Sequence, residues 1–285
     1  VKNDVYILYY VIRDLIDWWR SEKLGKFGLT AASLAWNAFR HRFMSHRVLS
    51  HKNQELEAFE SECYYGGRVD LFKWGRIEGP IYYLDVNSMY PAAMRNFNVP
   101  VRPRGRERSP NVKTLKNLCR DYACFGLCYV ETNIEAYPKR IKDIGLFFPV
   151  GRFITYLPPA ELQLAAERGD LVKCDVVYYY HVEPLFKEFV DYFWSLRRQY
   201  KERDDRPREL FAKLILNSLY GKFAQRERLV KTLGYDPVAK YRAMPLIDMD
   251  KGYIGRIFWA GHTVFWQSKE KRAWQHAVIA VSASI

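Results

Sequence analysis

The stretch "AKLILNSLYGKFA", residues 212–224, decides how the chain is read. Its apolar spacing predicts a helix, and Lys213, Asn217, Tyr220 and Gly221 fall at i, i+4, i+7 and i+8, on one stripe. A cation, an amide, a phenol and a bare patch of backbone then share a face, which a core-facing stripe does not do. Lysine donates to phosphate as a point charge, a tyrosine ring offers a flat surface to a base or sugar, and glycine admits a close approach. A solvated face ending in glycine is the plain alternative; a helix continuing through Lys222 and Phe223 speaks against it.

Upstream, residues 182–205 predict a second helix, and Asp204, Asp205 and Pro207 mark the turn between the two, giving a helical hairpin. Arg197 and Lys201 lie four residues apart on one face of that helix, where solvated charge and phosphate contact both remain open. Earlier still, "YYLDVNSMYP" (Tyr82–Pro91) ends an apolar run at Asp85 and signals a helix start at Ser88 and Pro91. Such a junction offers a metal-binding carboxylate beside amides that hold phosphate oxygens. A turn-forming aspartate with a capping serine fits the same letters.

Elsewhere, Val5, Leu8, Ile12, Leu15 and Trp19 predict an opening helix, and Thr30 caps another over residues 31–43. The charged residues 45–62 read as a solvated connection, and 64–72 and 81–86 as two short strands. Residues 99–110 are too rich in Pro and Arg for a core element. From there to about residue 180, short strands and a helix at 158–169 indicate an inserted α+β module. After Arg226 come β-like pieces, with a hairpin at 246–254, and a terminal amphipathic helix. The chain starts and stops inside apolar patterns and reads as an excerpt of a longer protein.

The 285 residues carry a net charge of +13, interleaved with 21 Tyr, 17 Phe and 8 Trp, a mixture suited to nucleic acid. Five cysteines without a paired Cys-x-x-Cys spacing indicate neither a disulfide framework nor a zinc site. His41, His46 and His51 recur every five residues and read as surface groups. No apolar run is long enough to span a membrane.

The order "DVNSMYP" then "KLILNSLYG" closely resembles family B DNA polymerases, specifically the protein-primed branch of phages, adenoviruses and linear plasmids. The first matches the palm motif Asp-x-x-Ser-Leu-Tyr-Pro, with Met89 for Leu, and the second the fingers motif Lys-x-x-x-Asn-Ser-x-Tyr-Gly. "YYGG", Tyr64–Gly67, is similar to the Tyr-x-Gly-Gly loop of that branch, and "VKND" to the tail of its third exonuclease motif.

The resemblance implies an α+β fold: a palm with an antiparallel sheet, a helical fingers hairpin, an inserted α+β module that binds a terminal protein, and the C-terminal remnant of a ribonuclease H-like exonuclease domain. Its borders place the exonuclease end at 1–50, the linker, Tyr-x-Gly-Gly loop and first palm segment at 51–96, the insertion at 97–190, the fingers at 191–226 and a truncated second palm segment at 227–285. It implies template-directed transfer of dNTPs to a primer with magnesium, or manganese, and 3′→5′ proofreading in the intact protein.

Asp85 and the Val86 carbonyl would hold metal, as would Asp4 in the exonuclease remnant. Asp85, Lys213 and Tyr90 would be catalytic. Val86, Asn87, Ser88, Met89, Tyr90, Arg197, Lys201, Lys213, Asn217 and Tyr220 would bind the nucleotide. Tyr64, Gly66, Gly67, Ser218, Gly221 and Lys222 would contact DNA. Primer-template DNA, dNTP and a terminal protein are the implied partners of a monomer in a host cytoplasm. The family's Tyr-x-Asp-Thr-Asp motif is missing, so the segment alone is expected to be inactive; Asp248 and Asp250 imitate it but read as a hairpin turn. A non-catalytic, nucleic-acid-binding relic and a nucleotide-sugar transferase using Asp248 and Asp250 are the other readings.

Overall fold

Helix α1 (Lys2–Ser21) is anchored at its C-terminal end, where Trp19 is buried and its indole N–H donates to the Gly25 carbonyl at 3.0 Å. The apolar side chains from Val5 to Ile12 are exposed, the reverse of the packed opening helix the spacing predicts. The computed structural model describes residues 2–51, 53–239, 241–273 and 278–285, in two units: residues 1–223 with 278–285, and residues 224–277.

In the first unit, Thr30 opens α2 (Ala31–Ala38) through a capping box with Ser33, as its position predicts, and a π-helical turn, Phe39–Phe43, extends it. The charged connection contains a helix, α3 (Gln54–Cys63), capped by the Asn53 side chain. Its buried face is Leu56, Glu60 and Cys63, at i, i+4 and i+7. The charge of Glu60 disguises that stripe in the sequence; its carboxylate accepts from the Tyr180 hydroxyl at 2.7 Å and contacts His51 Nε2 at 3.0 Å. His51 is therefore no surface group, and its Nδ1 is buried without a hydrogen-bond partner among the described residues.

The two strands expected at 64–72 and 81–86 are absent. Tyr82, Tyr83 and Leu84 are 80–95% exposed in an extended segment with no neighbouring strand to pair with among the described residues. α4 (Met89–Asn96) follows. The Pro- and Arg-rich stretch excluded from the core is instead strand β1 (Val99–Arg108). β1 lies at a sheet edge, and its register shifts fall at Pro100 and Pro103, where a missing N–H does least harm.

The region expected to be an insertion continues with α5 (Val112–Asp121), β2 (Ala123–Thr132), the small hairpin β3 (Lys139–Ile141) and β4 (Gly145–Phe147), β5 (Gly151–Leu157), α6 (Pro159–Arg168) and β6 (Leu171–Glu183). Its antiparallel sheet runs β1-β6-β2-β5. One core is built from Leu115, Leu162, Ala165, Val177 and their neighbours under α5 and α6. A second, with Leu56, Phe125, Tyr178 and Tyr180, joins the sheet to α3.

Helices α7 (Lys187–Glu202) and α8 (Arg206–Ser218) form the expected hairpin, with Asp205 capping the second. α8 ends at Ser218 and passes into a 3₁₀ turn, Tyr220–Lys222, so the helix does not continue through Gly221. The hairpin is fixed to α2 by Trp36, Phe39, Phe186, Phe189 and Phe223, whose rings meet in tilted or edge-to-face contacts. Val278 donates to the Phe223 carbonyl at 2.8 Å and leads into α9 (Ile279–Ala283), which is short and buried where an amphipathic helix was expected. The stretch 274–277 before it lies outside the described residues.

The second unit is an antiparallel sheet of β7 (Arg226–Tyr235), β8 (Tyr241–Asp248), β9 (Gly252–Ala260) and β10 (Thr263–Ala273), in the order β7-β10-β9-β8. The single segment expected at 227–285 is thus divided between the two units. Within this sheet Asp248 Oδ1 accepts from the Asp250 and Lys251 amides at 3.0 and 2.9 Å, the hairpin turn the sequence predicts.

Candidate active site

Three sequence-distant motifs meet at Tyr90. Its ring stacks on that of Tyr220, centroids 4.5 Å apart and planes 8° from parallel. A Cβ built on Gly67, in the "YYGG" loop, would lie 3.5 Å from the Tyr90 hydroxyl. Burial, with the Tyr90 hydroxyl close by, raises the Tyr64 phenol above its usual range. Burial first, and then the hydrogen bond with Tyr90, push Tyr220 up to about 12. The Tyr64 and Tyr220 phenols are therefore neutral near neutral pH, as flat, polar-edged surfaces should be.

Ser88 stands at the start of α4, yet it does not cap the helix as expected. Its backbone is left-handed, φ 55°, and its side chain makes no capping hydrogen bond. Its hydroxyl instead accepts from Arg197 Nη1 at 3.0 Å. Arg197 Nε lies 3.5 Å from Glu209 on α8, so one guanidinium links the junction after Asp85 to both hairpin helices. Arg95 ties α4 to Asp191 on α7 at 2.5 Å. A left-handed non-glycine residue costs on the order of 1–3 kcal/mol and persists where its surroundings impose it.

On α8, Lys213 and Asn217 are exposed while Ala212, Ile215 and Leu216 are buried, so the predicted stripe faces solvent. Lys201 is exposed on α7. Ser218, expected to contact DNA, donates its hydroxyl back to the Leu214 carbonyl at 2.6 Å. A Cβ on Gly66 or Gly221 would meet nothing within 4 Å, and neither residue has a positive φ. The described protein does not itself require glycine at either position.

Asp85, with Val86, Asn87 and Met89 around it, is exposed, and its carboxylate has no hydrogen-bond or ion-pair partner among the described residues. An uncommitted carboxylate next to a backbone carbonyl fits part of a divalent-cation site. No group of three or more His, Cys, Asp or Glu gathers among the described residues, so neither Asp85 nor Asp4, on the exposed first turn of α1, has a complete ligand set here. Asp248 is engaged by its own turn.

The structure therefore brings together Tyr64, Gly67, Ser88, Tyr90, Arg197 and Tyr220. Lys213, Asn217, Lys201 and Asp85 remain exposed. Sequence reasoning missed Glu209, which orients Arg197, and Ser282, whose hydroxyl donates to the Tyr220 carbonyl at 2.6 Å. No sequence pattern marks either; both contacts join distant segments.

Residues 1–273 match the family described as DNA polymerase type B, organellar and viral. The DNA-directed DNA polymerase of Enterobacteria phage PRD1 is 34% identical over 164 residues, 57% of this chain and 28% of that protein. A probable DNA polymerase of Agaricus bitorquis is 29% identical over 216 residues, 70% of this chain and 25% of that protein. The chain thus spans only a quarter or so of the length of these relatives.

Among solved structures, Phi29 DNA polymerase complexed with primer-template DNA and incoming nucleotide matches with a TM-score of 0.57 and 18% identity. That match covers 93% of this chain and 45% of that one. The orthorhombic crystal form of the same polymerase gives 0.57 and 20% over 90% of this chain.

Proposed function

The chain belongs to the organellar and viral type B DNA polymerases, and we propose that it forms the nucleotide-binding part of a protein-primed replicative polymerase. The observation that carries this reading is the meeting of the "YYGG" loop, the palm motif and the fingers motif at the Tyr64, Tyr90 and Tyr220 rings. The intact protein transfers dNTPs to a primer on a DNA template.

Asp85 and the Val86 carbonyl would hold divalent metal, magnesium in this reading, with the remaining ligands supplied from outside the described set. A divalent ion held there would supply Lewis-acid chemistry to the primer hydroxyl and charge neutralisation to the leaving pyrophosphate. Lys213, Lys201 and Arg197 face the triphosphate, where fixed cations count most as charge develops. For Arg197 this means exchanging the Ser88 hydroxyl, its present partner, for a phosphate oxygen. Tyr90 lies under the sugar and excludes a 2′-hydroxyl; Tyr220 and Asn217 line the nascent base pair. Gly66, Gly67, Gly221 and Lys222 pass the DNA backbone.

On the same reading α1 closes a proofreading exonuclease domain to which Asp4 contributes a metal ligand. Residues 97–190 receive a terminal protein, and the enzyme works as a monomer in a host cytoplasm. No helix of the described residues is long and apolar enough to cross a membrane.

The test is template-dependent incorporation. The polymerase carrying this chain should extend a primed DNA template with the complementary dNTP and magnesium, and not without template. Turnover of a nucleotide sugar in the absence of DNA would contradict it.

A further inference from the structure

The inserted module reaches back and grips the loop that carries Tyr64. Arg140, on β3, donates to the Tyr64 carbonyl at 2.5 Å and to the Ser61 carbonyl at 3.3 Å. Its guanidinium also lies 4.9 Å over the Tyr65 ring and 3.6 Å from the Glu62 carboxylate. A planar fork of donors suits two carbonyls at once, which a single ammonium does not reproduce.

Two further ties follow the same direction. The Tyr65 hydroxyl donates to the Tyr156 carbonyl on β5 at 2.8 Å. Arg68 donates to the Glu135 carbonyl at 2.6 Å and lies 4.1 Å over the Phe148 ring. Residues 64–68 belong to no helix or strand, so these side-chain contacts, and no backbone ladder, set where the loop lies. The same loop meets the active-site tyrosines through Gly67, where a Cβ would lie 3.5 Å from the Tyr90 hydroxyl.

We infer that Arg140 is a positioning residue for the nucleotide site: from the inserted module it holds the Tyr64–Gly67 loop against Tyr90 and so sets the affinity for the incoming nucleotide. This rests on the reading of Tyr90 and Tyr220 as nucleotide-binding. The inserted module is then part of the frame of the polymerisation site as well as a separate docking element.

The experiment combines steady-state kinetics with amide hydrogen exchange on the polymerase carrying Arg140→Ala, Arg140→Lys or, as control, Arg152→Ala. Arg140→Ala should raise the KM for dNTP about fivefold or more while kcat changes less than about twofold, and Arg140→Lys should recover part of the loss. Exchange should rise about tenfold or more at residues 64–67 and at 88–90. Arg152 pairs with Glu131 on the exposed face of the same module, and its loss should move neither readout.

An unchanged KM, or kcat and KM falling together with melting temperature, would overturn the inference. So would faster exchange at 64–67 with none at 88–90. If the unaltered protein incorporates no nucleotide at all, the functional reading fails, and the exchange data still decide whether Arg140 holds the loop to Tyr90.

Discussion

The rings of Tyr90 and Tyr220 lie face to face, 4.5 Å apart and within 8° of parallel, although 130 positions of chain separate the helix start that carries one from the 3₁₀ turn that carries the other. Each ring covers a face of its neighbour. A ring held this firmly is a steric surface as well as a stacking one, so it can reject an added hydroxyl on a sugar laid against it. Tyr90→Val should lower discrimination against ribonucleotides about tenfold or more, checked by comparing incorporation of a dNTP and its rNTP counterpart.

Lys213 is exposed on α8, and its ammonium has no hydrogen-bond or ion-pair partner among the described residues. Lys213→Ala should leave the melting temperature unchanged and lower kcat/KM for dNTP about a hundredfold, the usual scale for removing a cation from a developing phosphate charge. Single-turnover incorporation measures this directly. An intact rate would remove Lys213 from the site.

Gly221 separates fold from function more sharply. A Cβ there meets nothing within 4 Å among the described residues and no unfavourable φ, so Gly221→Ala should fold with equal or slightly higher stability. If DNA passes over that backbone, its affinity for primer-template should fall, with the salt dependence of binding little changed. Equal DNA affinity in the variant and the parent would show that the bare patch faces solvent.

His51 offers a test of the α3 contact through pH. The hydrogen bond to the Glu60 carboxylate raises the imidazole above its usual value, and partial burial opposes this only in part. A raised pKa means the pair's stabilisation is complete below the ordinary histidine value of about 6.5 and is lost as pH climbs through the higher folded value. His51→Gln should therefore destabilise the protein more at about pH 5.5 than at about pH 8.5, measured by urea unfolding. An equal loss at both would mean the charged pair contributes nothing.

What the sequence disclosed was the local chemistry. The spacing of Lys213, Asn217 and Tyr220 is a helical property, and the structure keeps the first two exposed on one face of α8. The hairpin of α7 and α8, the capping box at Thr30 and the turn at Asp248 were likewise legible, because each is set by residues within one or two turns.

What stayed hidden depends on a partner elsewhere in the chain. α3 was unreadable because its central buried residue is Glu60, acceptable only where Tyr180 and His51 surround it. β1 was rejected for its prolines, which an edge strand tolerates at its register shifts. Residues 81–84 have the apolar pattern of a strand and no neighbour to complete one. A serine before a helix usually caps it, whereas the left-handed Ser88 turns its hydroxyl to Arg197, a partner 109 positions away in the chain.

The proposed function turns on Asp85 as the residue that would hold the metal at which nucleotide is transferred. Primer extension and primer-template binding, measured side by side on the polymerase carrying Asp85→Asn, test it most directly, since the exposed carboxylate has no structural partner to lose among the described residues. If Asp85 is that ligand, extension should fall about ten-thousandfold or more with DNA affinity within about twofold of the parent. Robust extension by that variant would contradict it.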